Sequence, residues 1–159
     1  MARHVSATFV DPARMRVEAR GRRGEVAMDS APPDGDGSAI SPREALLGAL
    51  AGCTSMDVAS ILRKKRQAVD RYDIEVDGEE AAEHPQVFVA ITVEHVVVGD
   101  VDPEAVRRSI ELSATRYCPV SALLSKGVTI EHRYRLTRRD GTEHAALVVV
   151  TGPGDAPGA

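Results

Sequence analysis

The sequence has little cysteine and no excess of positive charge. Two cysteines among 159 residues cannot form the disulfide framework of a small secreted protein, and they are too few for a structural zinc site unless histidines complete it. The 20 Lys and Arg side chains stand against 24 Asp and Glu, and the formal charge of −4 argues against a general affinity for nucleic acid or anionic membranes. No nucleic-acid partner is therefore expected.

Long apolar runs are also missing from the sequence. No run approaches the roughly 18 residues that span a bilayer, and the first residues contain no apolar signal-peptide core. We therefore expect a cytoplasmic protein without a membrane partner. Its composition, 43% hydrophobic and 28% charged, is ordinary for a folded chain that buries its own core.

The sequence divides into a structured part and a tail. We predict a single domain over residues 1–138 and a C-terminal extension, partly disordered, over residues 139–159. The extension ends in a stretch rich in glycine and proline, which is typical of disorder. Before that stretch, residues 146–150 have the composition of an edge strand.

A long helix is predicted from Ser41 onward. Ser41 can cap the helix, Pro42 suits its first position, and Glu44 completes a capping box with Ser41. Residues 45–52 are all small or apolar, so we expect this part of the helix to be buried on every side. The basic run 63–66 fits the negative end of the helix dipole better than it fits a nucleic-acid patch.

The remaining elements predict an α+β fold. A helix is expected from the cap at Asp102 to the junction at Cys118, and a short helix follows it up to Gly127. Alternating hydrophobicity and turn residues predict five strands, over 15–19, 25–28, 72–76, 87–97 and 128–136. In the strand over 87–97, the apolar face is expected to consist of Val87, Val89, Ile91, Val93 and Val97. This order of elements differs from a parallel βαβ alternation.

The two cysteines are the candidate reactive groups. Cys53 lies among small residues of the long helix, where a buried thiol has a raised pKa and is unreactive. Asp57, one turn later, acts in the same direction if both side chains are buried. Cys118 follows Arg116 at a helix junction, and a nearby cation or helix N-terminus lowers the pKa of a thiol. From the residues alone, a redox pair and two inert packing cysteines both stay open.

Two histidines, His95 and His132, fall on largely apolar strand faces. Core or interface histidines that are paired internally are commoner at such positions than metal ligands. Neither cysteine has a short metal-type spacing to a histidine, so no metal and no cofactor is expected.

Two motifs resemble those of a known family. The stretch 41–53, SPREALLGALAGC, resembles the central-helix motif of the OsmC/Ohr family, and the stretch 112–120, LSATRYCPV, resembles its second cysteine motif. The resemblance covers about residues 6 to 137. Asp57-Val58, Ile61-Leu62 and the stretch 64–67 are similar to the YhfA-like branch of that family.

The resemblance implies a homodimer of interwoven α+β subunits, with antiparallel sheets around two long central helices. It implies that Cys53 is a peroxidatic thiolate, which attacks an organic hydroperoxide and becomes a sulfenic acid. Cys118 then condenses with it to a Cys53–Cys118 disulfide, and an external dithiol reopens that disulfide. Organic hydroperoxides are expected over hydrogen peroxide because the helix around Cys53 is apolar.

The start of the long helix departs from the family motif. Peroxidase branches place a glutamate directly after the helix-opening proline, whereas this chain has Arg43 there and Glu44 one position later. One residue is a rotation of about 100° on a helix, so Glu44 cannot simply replace the missing carboxylate. Arg43 and Glu44 are therefore candidates for positioning the thiolate. The arginine of the family motif has three candidates in this chain, Arg20, Arg22 and Arg23.

This departure keeps other functions open. One alternative is a dimer of the same fold that binds an apolar small molecule or senses redox state, with weak or no peroxidase activity. Another is sulfur or acyl transfer through Cys53, which a persulfide or a thioester would mark.

Overall fold

The computed structural model describes residues 2–11 and 14–153. The chain forms two compact units, Met1–Leu46 and Leu47–Ala159. The domain limits predicted from the sequence, 1–138 and 139–159, stay a prediction. The disorder predicted for the stretch 152–158 falls mostly on residues 154–159, which lie outside the described residues.

The first unit contains a three-stranded antiparallel sheet. Its strands are β1 (Ser6–Asp11), β2 (Arg16–Gly21) and β3 (Gly24–Met28), in the order β1-β2-β3. The predicted strands 15–19 and 25–28 are confirmed as β2 and β3, whereas β1 was not predicted. After β3, Asp29 accepts hydrogen bonds from the backbone N and the hydroxyl of Ser38, at 2.9 and 2.7 Å. These bonds close the loop over 30–38 and hold the pKa of Asp29 below its usual range.

Helix α1 (Pro42–Lys64) begins with the predicted capping box. The backbone N of Ser41 donates to Glu44 Oε2 at 2.6 Å, and the backbone N of Glu44 donates to Ser41 Oγ at 3.2 Å. These bonds also hold the pKa of Glu44 below its usual range. The helix ends with Arg63 and Lys64 in its last turn, so the basic run lies at the negative end of the helix dipole as predicted.

The second unit contains a four-stranded sheet in the order β4-β5-β6-β7. Its strands are β4 (Ala68–Glu80), β5 (Phe88–Asp100), β6 (Thr129–Thr137) and β7 (Glu143–Thr151). All neighbours are antiparallel except β5 and β6, which are parallel. The predicted α+β class is confirmed, and β7 confirms the edge strand predicted over 146–150.

A helical crossover joins the parallel strands β5 and β6, as that pairing requires. It consists of α2 (Pro103–Leu112), a π-helical turn (Ser113–Tyr117) and α3 (Pro119–Leu124). Asp102 caps α2 by accepting a hydrogen bond from the backbone N of Glu104 at 3.0 Å. The predicted helix start at Asp102 and its end near Cys118 are both confirmed.

The core of the second unit consists of two buried clusters between the sheet and the helices. One cluster joins α1, α2 and the ends of β5 and β6, and its members are Val58, Leu62, Val97, Val101, Ala105, Val106, Ile110, Tyr134 and Leu136. The other lies beside the π turn and α3, and its members are Leu50, Ile91, Val93, Cys118, Val128 and Ile130. Along the predicted strand over 128–136, alternate residues from Val128 to Leu136 are buried.

The prediction of the apolar face on β5 is wrong at one end. Val87 and Val89 are 56% and 52% exposed, although Ile91, Val93 and Val97 are buried. The pairing of β4 with β5 shifts between Glu79 and Glu80, so the residue that packs against the core here is Phe88. A shift of one residue changes which side chains face the core.

The prediction that residues 45–52 are buried on every side is also wrong for the single chain. Leu50 is fully buried, but Leu46 is 41% exposed, and a Cβ added to Gly48 or Gly52 would meet no atom within 4 Å. The core side chains of α1 recur on one face only, and they are Leu50, Thr54, Val58 and Leu62.

Helix α1 has the length and composition of a membrane span, contrary to the expectation from the sequence. Its mean hydropathy reaches 1.6 over an 18-residue window. Asp57 is a single charge between two uncharged stretches, 45–56 and 58–62, and the two stretches together are long enough for a span, which explains the difference. Core helices of soluble domains pass the same test, and one face of α1 packs against the sheet of its own unit.

Candidate active site

The structure brings Cys53 and Cys118 together, with Asp57 beside them. Cys53 is half-buried on α1, and Cys118 is 2% exposed after the π turn. The two Sγ atoms and a carboxylate oxygen of Asp57 all lie within 4.8 Å of one another. Both thiols are free, and a disulfide bond of about 2 Å would require the two sulfurs to move closer together.

The π turn and Pro119 determine where Cys118 points. The backbone N of Cys118 donates to the carbonyl of Ser113 at 2.9 Å, which closes the turn. A residue before proline avoids the helical region, and Cys118 is extended, with φ −74° and ψ 106°. It therefore caps α3, and its Sγ accepts a hydrogen bond from the backbone N of Ser121 at 3.3 Å. The position of Cys118 at a helix N-terminus is thus confirmed.

Further donors surround the two sulfurs. Thr54 Oγ1 donates to Cys118 Sγ at 3.6 Å, and the backbone N–H of Val120 donates to Cys53 Sγ. The first turn of α3 therefore supplies one backbone N–H group to each sulfur. Sequence reasoning missed these donors, although a capping residue followed by proline predicts an acceptor side chain at Cys118.

The surroundings of Cys53 favour the neutral thiol. Burial has the largest effect on the pKa of Cys53, and the hydrogen bond with Cys118 has the next largest. These two causes and the charges of Cys118 and Asp57 raise this pKa to about 11. The hydrogen bond from Val120 acts in the opposite direction. No cation is among the groups that have the largest effect on the pKa of Cys53. At neutral pH Cys53 is therefore largely the neutral thiol.

Asp57 is held in place by the crossover. Ser113 Oγ donates to Asp57 Oδ2 at 3.1 Å, and Ser113 itself is fully buried. The direction predicted for Asp57 is confirmed, because its charge raises the pKa of Cys53.

Arg43 and Glu44 lie at the start of α1, in the first unit. Glu44 forms the capping box with Ser41, and neither Arg43 nor Glu44 is among the groups with the largest effect on the pKa of Cys53. A role for Arg43 and Glu44 in positioning the thiolate stays a prediction. In the same unit Arg20 pairs with Glu18 and with Glu25, at 3.2 and 3.0 Å.

His95 and His132 form a buried stack with Tyr72. Tyr72 Oη and His95 Nδ1 are 2.7 Å apart, and the rings of His95 and His132 stack with centroids 6.1 Å apart. Burial lowers the pKa of His95 to about 3 and that of His132 to about 4, so both are neutral. The prediction of internal pairing is confirmed for His95. It is wrong for His132, because neither ring nitrogen has a hydrogen-bond partner among the described residues.

The chain matches the family model of OsmC-like proteins over residues 35–133. Protein YhfA of Escherichia coli K12 is 38% identical over 113 residues, which cover 70% of this chain and 82% of that protein. A hypothetical protein from Aquifex aeolicus VF5 has a similar crystal structure, with a TM-score of 0.75, 26% identity, and coverage of 87% of this chain and 98% of the other.

A more distant structure carries a functional name. The organic hydroperoxide resistance protein OsmC of Legionella pneumophila has a TM-score of 0.61 and 14% identity, and the match covers 83% of this chain and 95% of that protein. At this identity the likeness concerns the fold. The extent of the family match and the identity to YhfA establish the relationship: the chain belongs to the OsmC/Ohr family, in its YhfA-like branch.

Proposed function

We propose that this chain is a cytoplasmic thiol-dependent hydroperoxide reductase that acts through Cys53 and Cys118. The observation that carries the proposal is that the two sulfurs lie within 4.8 Å of each other, with Cys53 more exposed than Cys118. Peroxide reaches the exposed thiol first, and the buried thiol is placed to resolve the product. Apolar neighbours on α1 support organic hydroperoxides as the substrate class.

The reaction uses both thiols and one hydroperoxide. The Cys53 thiolate attacks the terminal oxygen of ROOH, the O–O bond breaks, and the leaving alkoxide takes a proton to become ROH. Cys53 is then a sulfenic acid. Cys118 attacks the sulfur of Cys53 and releases water, which forms the Cys53–Cys118 disulfide. An external dithiol reduces that disulfide by exchange and becomes a disulfide itself.

The thiolate fraction of Cys53 limits this chemistry at neutral pH. With a pKa of about 11, Cys53 is largely protonated, so its reaction with peroxide is slow unless a cation approaches it. The arginines that resemble the family motif, Arg20, Arg22 and Arg23, belong to the first unit, as does Arg43. A cation beside Cys53 would lower the pKa of its thiol and speed the reaction.

We also propose that the chain works as a homodimer, with the outer face of α1 against a second copy. This face carries Met56, which is 75% exposed, together with exposed small residues at helical spacing, Ala49 and Ala59. Small residues allow two helices to approach closely. We expect light scattering to give twice the mass of one chain, and Met56→Lys to lower it. Leu123→Lys, at a position 67% exposed on α3, is the matched control.

Intact mass and thiol counting test the proposed reaction. One equivalent of cumene hydroperoxide is expected to consume both thiols of the wild-type protein and to leave a trappable sulfenic acid in Cys118→Ser. Retention of both thiols over many minutes, in protein whose circular dichroism shows it to be folded, would contradict the proposal.

A second candidate is a dimer that binds a small apolar molecule or senses redox state through slow thiols. The raised pKa of Cys53, to which the neighbouring Asp57 contributes, favours this candidate. An apolar ligand that co-purifies with the protein, together with thiols that resist peroxide, would support it over the reductase.

A further inference from the structure

The site contains an arrangement that peroxide chemistry does not explain. A carboxylate beside a peroxidatic thiol opposes its ionisation, yet Asp57 is fixed there by Ser113 and lies within 4.8 Å of both sulfurs. We propose that Cys53, Cys118 and Asp57 form a binding site for a thiophilic divalent cation of the Zn²⁺ class. The ligand atoms are the two Sγ atoms and one carboxylate oxygen.

The spacing of the three ligand atoms suits a tetrahedral ion. With Zn–S distances of about 2.3 Å and a Zn–O distance of about 2.1 Å, tetrahedral ligand atoms lie roughly 3.6–3.8 Å from one another. The three atoms here already lie within 4.8 Å of one another. Small side-chain rotations therefore suffice, and the fourth position is taken by water, as in zinc sites with three protein ligands.

The two sulfurs and the carboxylate of Asp57 already have hydrogen-bond donors that would orient them toward the ion. The backbone N–H groups of Val120 and Ser121 donate to the sulfurs of Cys53 and Cys118, respectively. Ser113 Oγ donates to Asp57 Oδ2. Hydrogen bonds of this kind hold metal ligands in position and stabilise the charge on thiolates.

Charge also favours the divalent ion once both thiols have given up their protons to it. The bound state then contains two thiolates and a carboxylate, and a divalent ion offsets two of these three negative charges. Two thiolates select zinc-like ions over magnesium or calcium, which prefer oxygen ligands. On binding, the two thiols lose their protons to solvent and the ion gains two sulfur ligands and one oxygen ligand.

The bound ion and the disulfide exclude each other, because they use the same two sulfurs. Binding of the ion requires only reduced thiols and does not depend on the proposed reductase activity. Protection of Cys53 from peroxide by the ion is the one consequence that rests on that activity.

Metal titration of the reduced, tag-free full-length chain tests the proposal. Zn²⁺ is titrated against a chromophoric chelator, and Co²⁺ is added to a second sample for visible spectroscopy. We expect one ion per chain, thiolate-to-cobalt charge-transfer bands, and the intense visible bands of tetrahedral Co²⁺. Asp57→Asn is expected to weaken binding roughly 100-fold, and Ser113→Ala roughly 10-fold.

The matched control is Asp77→Asn, which removes one negative charge from an exposed position on β4 and should leave the affinity unchanged. Circular dichroism and thermal melting establish that each variant is folded. Wild-type affinity in Asp57→Asn would overturn the proposal, as would wild-type Co²⁺ spectra without charge-transfer bands. These titrations contain no peroxide, so a failure of metal binding and a failure of the reductase proposal are distinguishable.

Discussion

Helix α1 around Cys53 and the α2–α3 junction around Cys118 contribute one thiol each, in different backbone settings. Cys53 lies inside a regular 23-residue helix, whose own backbone N–H groups are used within the helix. Cys118 lies where a π turn ends and α3 begins, so unused N–H groups of α3 point at the sulfurs. A break in helical structure therefore supplies the hydrogen bonds that a continuous helix cannot supply to its own side chain.

The largest expected effect is the dependence of Cys53 reactivity on pH. A pKa of about 11 predicts that the rate of alkylation rises with pH. As long as the pH is below the pKa, each increase of one pH unit raises the thiolate fraction about tenfold. Between pH 7 and pH 10 we expect an increase on the order of 1000-fold. Iodoacetamide labelling, followed by peptide mass spectrometry, measures it for Cys53 separately from Cys118.

Protein unfolded in guanidinium is the control for this pH series. Its thiols should level off near the ordinary thiol pKa of about 8.5. A plateau below pH 8 in the native protein would contradict the raised pKa and would show that Cys53 is an activated thiol.

The next effect is the difference in access between the two thiols. Cys118 is 2% exposed and is labelled only when the junction opens, whereas Cys53 is half-buried. At pH 9 we expect native Cys53 to react roughly 100-fold faster than Cys118, and the two to react equally in the unfolded chain. Equal native rates would mean that the α2–α3 junction opens freely.

A smaller effect is expected from Asp57→Asn. Removing this charge should lower the pKa of Cys53, and we expect its alkylation rate at pH 8 to rise roughly threefold to tenfold. Burial has the largest effect on this pKa, so the pKa should stay above that of an exposed thiol. Asp77→Asn again serves as the control. An unchanged alkylation rate in Asp57→Asn would show that the charge of Asp57 does not affect the pKa of Cys53.

The sequence predicts most of the helices and strands because their signals are local. The caps at Ser41 and Asp102, the proline after Cys118 and the alternation in β6 each depend on neighbouring residues, and each is found in the structure. The exposed end of β5 was not predictable in this way, because it depends on a shift in pairing with β4.

The candidate site was predictable only in part. The two cysteines are evident from their motifs, but 64 residues separate Thr54 from Cys118, and only the fold shows that they are hydrogen-bonded. The same holds for Ser113 and Asp57, which are separated by 56 residues. Long-range polar contacts of this kind leave no periodic signal in a sequence.

The smallest expected effect concerns the hydroxyl of Thr54. Thr54 is fully buried and donates to Cys118 Sγ at 3.6 Å, which is a long and weak hydrogen bond. Thr54→Val keeps the volume and removes the donor, so we expect a loss of about 1 kcal/mol or less in the free energy of unfolding, measured by urea denaturation. Thr54→Ala is the comparison variant, since it also removes packing atoms and should cost more. If Thr54→Val instead lowers the free energy of unfolding as much as Thr54→Ala does, the hydroxyl on α1 contributes most of the effect. The hydrogen bond from Thr54 would then matter more to Cys118 than the donors of α3 do.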